Sequence, residues 1–163
     1  MRASVQYVTK ILLSCASVSK SMKFAVVLAC VIAGAMADDP SFDDCGGSTS
    51  VMKVVAAGTE PAAVQKAMDF NITWTGDLPA AVTGGNVHQK MWEKVLGAWI
   101  PAPHTFDHDI CELNACPLAP GNQTLKIHTN MPSIVPSGDY KVQLSFADSN
   151  SKAISCADVY YTV

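Results

Sequence analysis

Three observations predict an all-β sandwich. Short runs with period-two alternation recur along the chain, as in Met68–Thr75, Tyr140–Phe146 and Ile154–Val163. Clusters of Gly, Pro, Asn, Asp and Ser separate them, the punctuation of hairpins and tight connections. Four cysteines, Cys45, Cys111, Cys116 and Cys156, fall inside the region that carries these runs.

The N-terminus reads as an export signal rather than as part of the fold. Lys23 precedes the apolar run Phe24–Ala33, and Ala35-Met36-Ala37 has the small-x-small form of a cleavage site. Residues 1–37 are the expected signal peptide, with Met22 as a second plausible start, and residues 38–163 are one domain. Cleavage removes Arg2, Lys10, Lys20 and Lys23 and leaves seven lysines, no arginine and 14 acids. An acidic chain without arginine is poorly suited to a phosphate backbone, so nucleic acid is not an expected partner. The compartment is expected to be extracellular or an endolysosomal or vacuolar lumen, where four cysteines form cystines. The natural pairing is Cys111–Cys116 across a local turn, with Cys45–Cys156 tying the start of the domain to its end. Zinc ligation is disfavoured because neither end carries a paired Cys-x-x-Cys.

In chain order, Asp38–Asp44 reads as an acidic leader. Val51–Ala57 reads as a strand that Gly58–Pro61 breaks, and Ala62–Ala67 is open between a helical turn and irregular chain. Met68, Phe70, Ile72 and Trp74 share one face of a strand. Asn71, the acceptor of the sequon Asn71-Ile72-Thr73, lies on the other, as a glycan requires. Leu78–Thr83 reads as a loop or short edge. Across Val87–Ile100, Met91, Trp92, Val95, Leu96 and Trp99 fall at helical spacing, and neither face is clean if the segment is a strand. Pro101 and Pro103 exclude regular helix or central strand. Asn122 heads a second sequon on the turn after Cys116, and Leu125–Thr129 reads as a strand. Tyr140, Val142, Leu144 and Phe146 form the apolar face of the clearest strand, and Ile154–Val163 closes the domain.

Catalytic signatures are lacking: there is no Gly-x-Ser-x-Gly, His-Glu-x-x-His or phosphate loop. His104-Thr105-Phe106-Asp107-His108-Asp109 is the one polar cluster with catalytic flavour. On a strand its acids and His108 face opposite ways, so a solvated strand end is expected rather than a metal site. From the residues alone the reading is an exported, disulfide-bonded β-sandwich.

Taken together, Asp44-Cys45-Gly46, the run Asp107–Gly121 with its Cys116-Pro117-Leu118, Met131-Pro132, Pro136-Ser137-Gly138-Asp139-Tyr140 and Ser155-Cys156-Ala157 resemble the ML lipid-recognition domain. That family includes Niemann–Pick type C-like sterol carriers and phosphatidylglycerol/phosphatidylinositol transfer proteins. The resemblance implies an immunoglobulin-like sandwich of two antiparallel sheets with an apolar cavity between them, and makes Val87–Trp99 strand rather than helix. It implies a non-enzymatic carrier of a sterol or phospholipid, without a cofactor, expected as a monomer with transient contact to membranes or membrane proteins. A protein-interaction module on the same scaffold is the alternative. The lipid-contacting residues it implies are the inward positions Phe70, Ile72, Trp74, Trp99, Phe106, Tyr140, Val142, Leu144 and Phe146, with Trp99 and Ile100 at the mouth. Gly58–Ala67 lacks the additional cystine of many relatives. Ile100-Pro101-Ala102-Pro103 is similar to the sterol carriers, and Thr105-Phe106-Asp107 to the phospholipid-transfer branch.

Overall fold

The computed structural model describes residues 41–163, and the expected signal peptide and its cleavage site lie outside the described residues. The described residues contain eight strands: β1 Phe42–Asp44, β2 Val54–Glu60, β3 Met68–Leu78, β4 Gly85–Val95, β5 Ala98–Asp109, β6 Gly121–Met131, β7 Asp139–Asp148 and β8 Ala153–Thr162. One helical turn, α1 Ile110–Leu113, follows β5. The strands form two antiparallel sheets, one ordered β1-β8-β7-β4-β5 and the other β2-β3-β6.

Alternation decides which residues enter the core. On the inner face of the three-stranded sheet, Ile72 and Trp74 of β3 pair with Ile127 and Leu125 of β6, and these residues are buried together with Phe70, Leu78 and Met131. Tyr140, Val142, Leu144 and Phe146 on β7 line the opposing sheet beside Ala157, Val159 and Tyr161 of β8. The resulting cluster joins both sheets. A buried side-chain hydrogen bond crosses between them: fully buried Trp74 donates its Nε1–H to Ser155 Oγ at 3.1 Å. Trp is buried at low cost only when its N–H finds an acceptor, so this bond fixes where β3 lies over β8.

Both expected disulfides form. Cys45–Cys156 spans 111 residues and Cys111–Cys116 spans 5. Beside the first, β1 adds to the edge of β8, and Tyr160 donates its hydroxyl to Asp43 at 2.9 Å. Burial and that carboxylate push the Tyr160 hydroxyl up to about 12. Phe42–Asp44 is therefore part of the sheet rather than a leader.

Three further expectations change. Gly58–Glu60 continues β2 instead of breaking it, because Gly58 and Thr59 pair with Thr73 and Ile72. Asn122 sits on β6 opposite Asp77 rather than on the cysteine turn. The helical spacing of 91–99 resolves into the β4–β5 hairpin. Val95 pairs with Ala98 across a two-residue turn with Leu96 at φ 50° and Gly97 at φ 86°, the type I′ pattern that matches strand twist. The prolines find an edge strand, where a missing N–H costs no ladder bond.

Replacing Trp74 by Phe removes the inter-sheet donor and part of the ring. Denaturant unfolding should show a loss of about 2 kcal/mol, whereas a loss within error would mean that the bond does not hold the sheets together.

Candidate functional site

The inner face of the five-stranded sheet is a set of register rows, each crossing from β8 to β5. Tyr161, Tyr140, Glu93 and Ile100 form one; Ala157, Leu144, Gln89 and Phe106 another; Ser155, Phe146, Val87 and His108 a third. Burial falls along each row. The β8 and β7 members are buried, Glu93 and His108 are half-buried, and Ile100 and Phe106 are 50% and 51% exposed. The opposing sheet has three strands for five, so the β5 end of the face extends beyond its cover.

One end of this open side is closed. Asp109 Oδ1 accepts from Cys111 N at 2.8 Å and caps α1, whose Ile110 is fully buried. Asn114 then hooks onto β6, accepting from Lys126 N at 3.1 Å, and Val82 bridges to Leu118. Toward the hairpin, Ile100, Val95 and Leu96 are exposed, Leu96 completely. Ile134, in the connection between β6 and β7, is also exposed.

The inner face also carries polar groups. Gln89 is buried, and its Oε1 accepts from His108 Nε2 at 2.9 Å. Tyr140 donates its hydroxyl to Pro136 O at 2.8 Å. Its pKa is raised by burial and then by the Glu93 carboxylate. The Tyr161 hydroxyl is buried and, among the described residues, has no hydrogen-bond partner. The Tyr161 ring stacks on Tyr140 at 5.9 Å and meets Phe70 edge-on at 5.6 Å.

Of the residues the sequence marks for a ligand, Phe70, Ile72, Trp74, Tyr140, Val142, Leu144 and Phe146 converge in the inter-sheet core, and Ile100 and Phe106 lie on its exposed margin. Trp99 does not belong with them. It pairs with Lys94, and its ring lies 5.8 Å from Tyr160 and within 5.6 Å of Lys94 Nζ, on the outer face. Counting by twos along β5 from Phe106 reaches Ile100 and not Trp99. The sequence reading left Gln89, Glu93, His108 and Tyr161 out of the ligand-facing set; parity on β4 identifies the first two once the segment is taken as a strand.

The cluster His104–Asp109 does not converge. His88 Nδ1 donates to Asp107 Oδ1 at 2.6 Å outside the sandwich, while His108 faces inward. Among the described residues no group of His, Cys, Asp or Glu is arranged to hold a metal. A separate cleft of about 230 Å³ lies where β7 meets β8, lined by hydroxyls and the Cys45–Cys156 bridge. The sequons Asn71 and Asn122 both lie on the outer face of the three-stranded sheet.

Comparison with known proteins agrees with this architecture. A relative in Dictyostelium discoideum, named for phosphatidylglycerol/phosphatidylinositol transfer, is 31% identical over 127 residues, 74% of this chain and 86% of the relative. A second, with the same kind of name and from the same organism, is 30% identical over 88 residues, 54% of this chain and 60% of the relative's length. The crystal structure of a Niemann-Pick type C2 protein from Japanese carpenter ant superposes with a TM-score of 0.53 at 18% identity, over 75% of this chain and 98% of that one, and shares the fold. The family model of the ML domain matches residues 39–163. A sandwich of these two sheets, matched from its first cysteine to its last strand, makes this chain a member of the ML domain family.

Proposed function

We propose that this chain is a non-catalytic carrier that holds a sterol or a phospholipid between its two sheets and takes it up over the inner side of β5. One observation carries the reading. The half-exposed Ile100 and Phe106 continue, in register, a face whose apolar members on β7 and β8 are buried. Apolar side chains that line an inner face yet meet water offer a lipid chain a path from solvent into the core, each buried methylene contributing about 0.8 kcal/mol. The names of the Dictyostelium relatives favour a phospholipid. His108 on the same margin is a polar group for a head group to meet. Family membership and the cystines support a secreted or endolysosomal protein, with residues 1–37 as its signal. Glycans on Asn71 and Asn122 would clothe the three-stranded sheet and leave β5 free.

The hairpin tip is the proposed point of transient membrane contact. Leu96 adopts a left-handed conformation with its side chain fully in water. That conformation is costly for leucine and favoured by asparagine or glycine. An apolar residue there gains when the tip enters a bilayer surface, and its chain neighbour Val95 is exposed with it.

Native mass spectrometry of the protein from a eukaryotic secretory host, before and after organic extraction, should show an extractable adduct in the mass range of a sterol or phospholipid. Failure to load either class in vitro would overturn the carrier reading. Leu96→Asn should leave the melting temperature unchanged or raise it while weakening vesicle binding several-fold; undiminished vesicle binding would remove the tip from the account.

A further inference from the structure

Tyr161 offers a chemical clue to the ligand. Its hydroxyl is the one buried side-chain polar atom without a hydrogen-bond partner among the described residues. Buried hydroxyls are nearly always paired, because leaving one unmade costs the full desolvation of the group. The neighbouring Tyr140 obeys the rule through Pro136 O. The Tyr161 ring is held by Tyr140 and Phe70, so packing alone would be served by phenylalanine.

The position of the hydroxyl gives it a use. Tyr161, Tyr140, Glu93 and Ile100 form one register row, with the unpaired hydroxyl at its buried end and the exposed Ile100 at its open end. A lipid entering over Ile100 travels along that row. Glu93 stands midway, half-buried. A carboxylate there repels an anionic phosphate, the more so as water is excluded. What can pass it and reach a neutral phenol is an uncharged oxygen.

On the carrier reading of the preceding section, we infer that the Tyr161 hydroxyl is the interior hydrogen-bonding point for the ligand, and that the ligand carries an uncharged oxygen within its apolar body. A sterol hydroxyl and the ester carbonyl of an acyl chain share this chemistry. A charged head group stays on the solvent side of Glu93.

The test compares wild type, Tyr161→Phe and Tyr140→Phe in direct binding of four probes: cholesterol, cholestane without the hydroxyl, and diester- and diether-linked phosphatidylglycerol. Tyr161→Phe keeps the ring packing and should melt at the same temperature or higher. It should weaken one oxygen-bearing probe about five- to tenfold, the factor a net hydrogen bond supplies, and leave the matching probe without that oxygen unchanged. A loss confined to cholesterol against cholestane identifies a hydroxyl; a loss confined to diester against diether identifies a carbonyl. Tyr140→Phe should lower stability without discriminating between the members of either pair. Equal effects of Tyr161→Phe on probes with and without the oxygen, or no effect on lipids that wild type binds, would overturn the inference and leave the carrier reading intact. No uptake of any probe by wild type would overturn both.

Discussion

Three strands cannot cover five. β2, β3 and β6 bury the inner faces of β8 and β7, and the inner face of β4 only in part. β5 is left with Ile100 and Phe106 half in water. A stability-optimised sandwich would place polar residues at such positions or add a strand. Here apolar residues remain, and the proline-containing edge resists pairing with another chain because two of its backbone donors are missing. The mismatch in strand number is thus the constraint from which the exposed margin follows.

The buried part of the molecule holds that margin in place. Trp74 and Ser155 set the position of one sheet over the other. The Cys45–Cys156 bridge joins the segment before β2 to β8, and Cys111–Cys116 with Asn114 fastens the crossing from β5 to β6. These ties concentrate at the α1 end and along β8. The hairpin end of β4 and β5 has fewer of them, and interior packing of native density means that any ligand between the sheets must displace side chains there. Polar groups on this part of the inner face have defined roles in the same terms: Gln89 is satisfied by His108, Tyr140 by Pro136, and Glu93 keeps contact with water.

Strands whose two faces differ cleanly were legible in the sequence. β3 and β7 alternate over their core positions, and β8 does so from Ser155 onward, with Ile154 buried out of step, so most of their inward residues follow from parity alone. Segment 87–99 was not legible by periodicity, for a physical reason. Gln89 and Glu93 point inward where apolar residues are expected, while Trp92 points outward beneath Lys141, whose Nζ lies 4.3 Å from the ring centroid. Resemblance to the family corrected helix to strand, yet it did not correct Trp99, because the proline segment obscures the alternation. The irregularity between Lys90 and Trp92 faces Thr105 to Pro101, an even step on each strand, so parity survives it and separates Ile100 from Trp99. β1 was missed because three residues, two of them acidic, carry too little pattern, and its pairing depends on Tyr160 and Asp43, 117 residues apart.

The most direct test of the central claim, that the inner side of β5 is the way in, is lipid loading of the double variant Ile100→Asp/Phe106→Asp. Both side chains are half-exposed, so the variant should keep its fold and melt within a few degrees of wild type. Two carboxylates on the margin should reduce uptake of sterol or phospholipid at least tenfold. Undiminished loading of a folded double variant would contradict the account and place the entrance elsewhere.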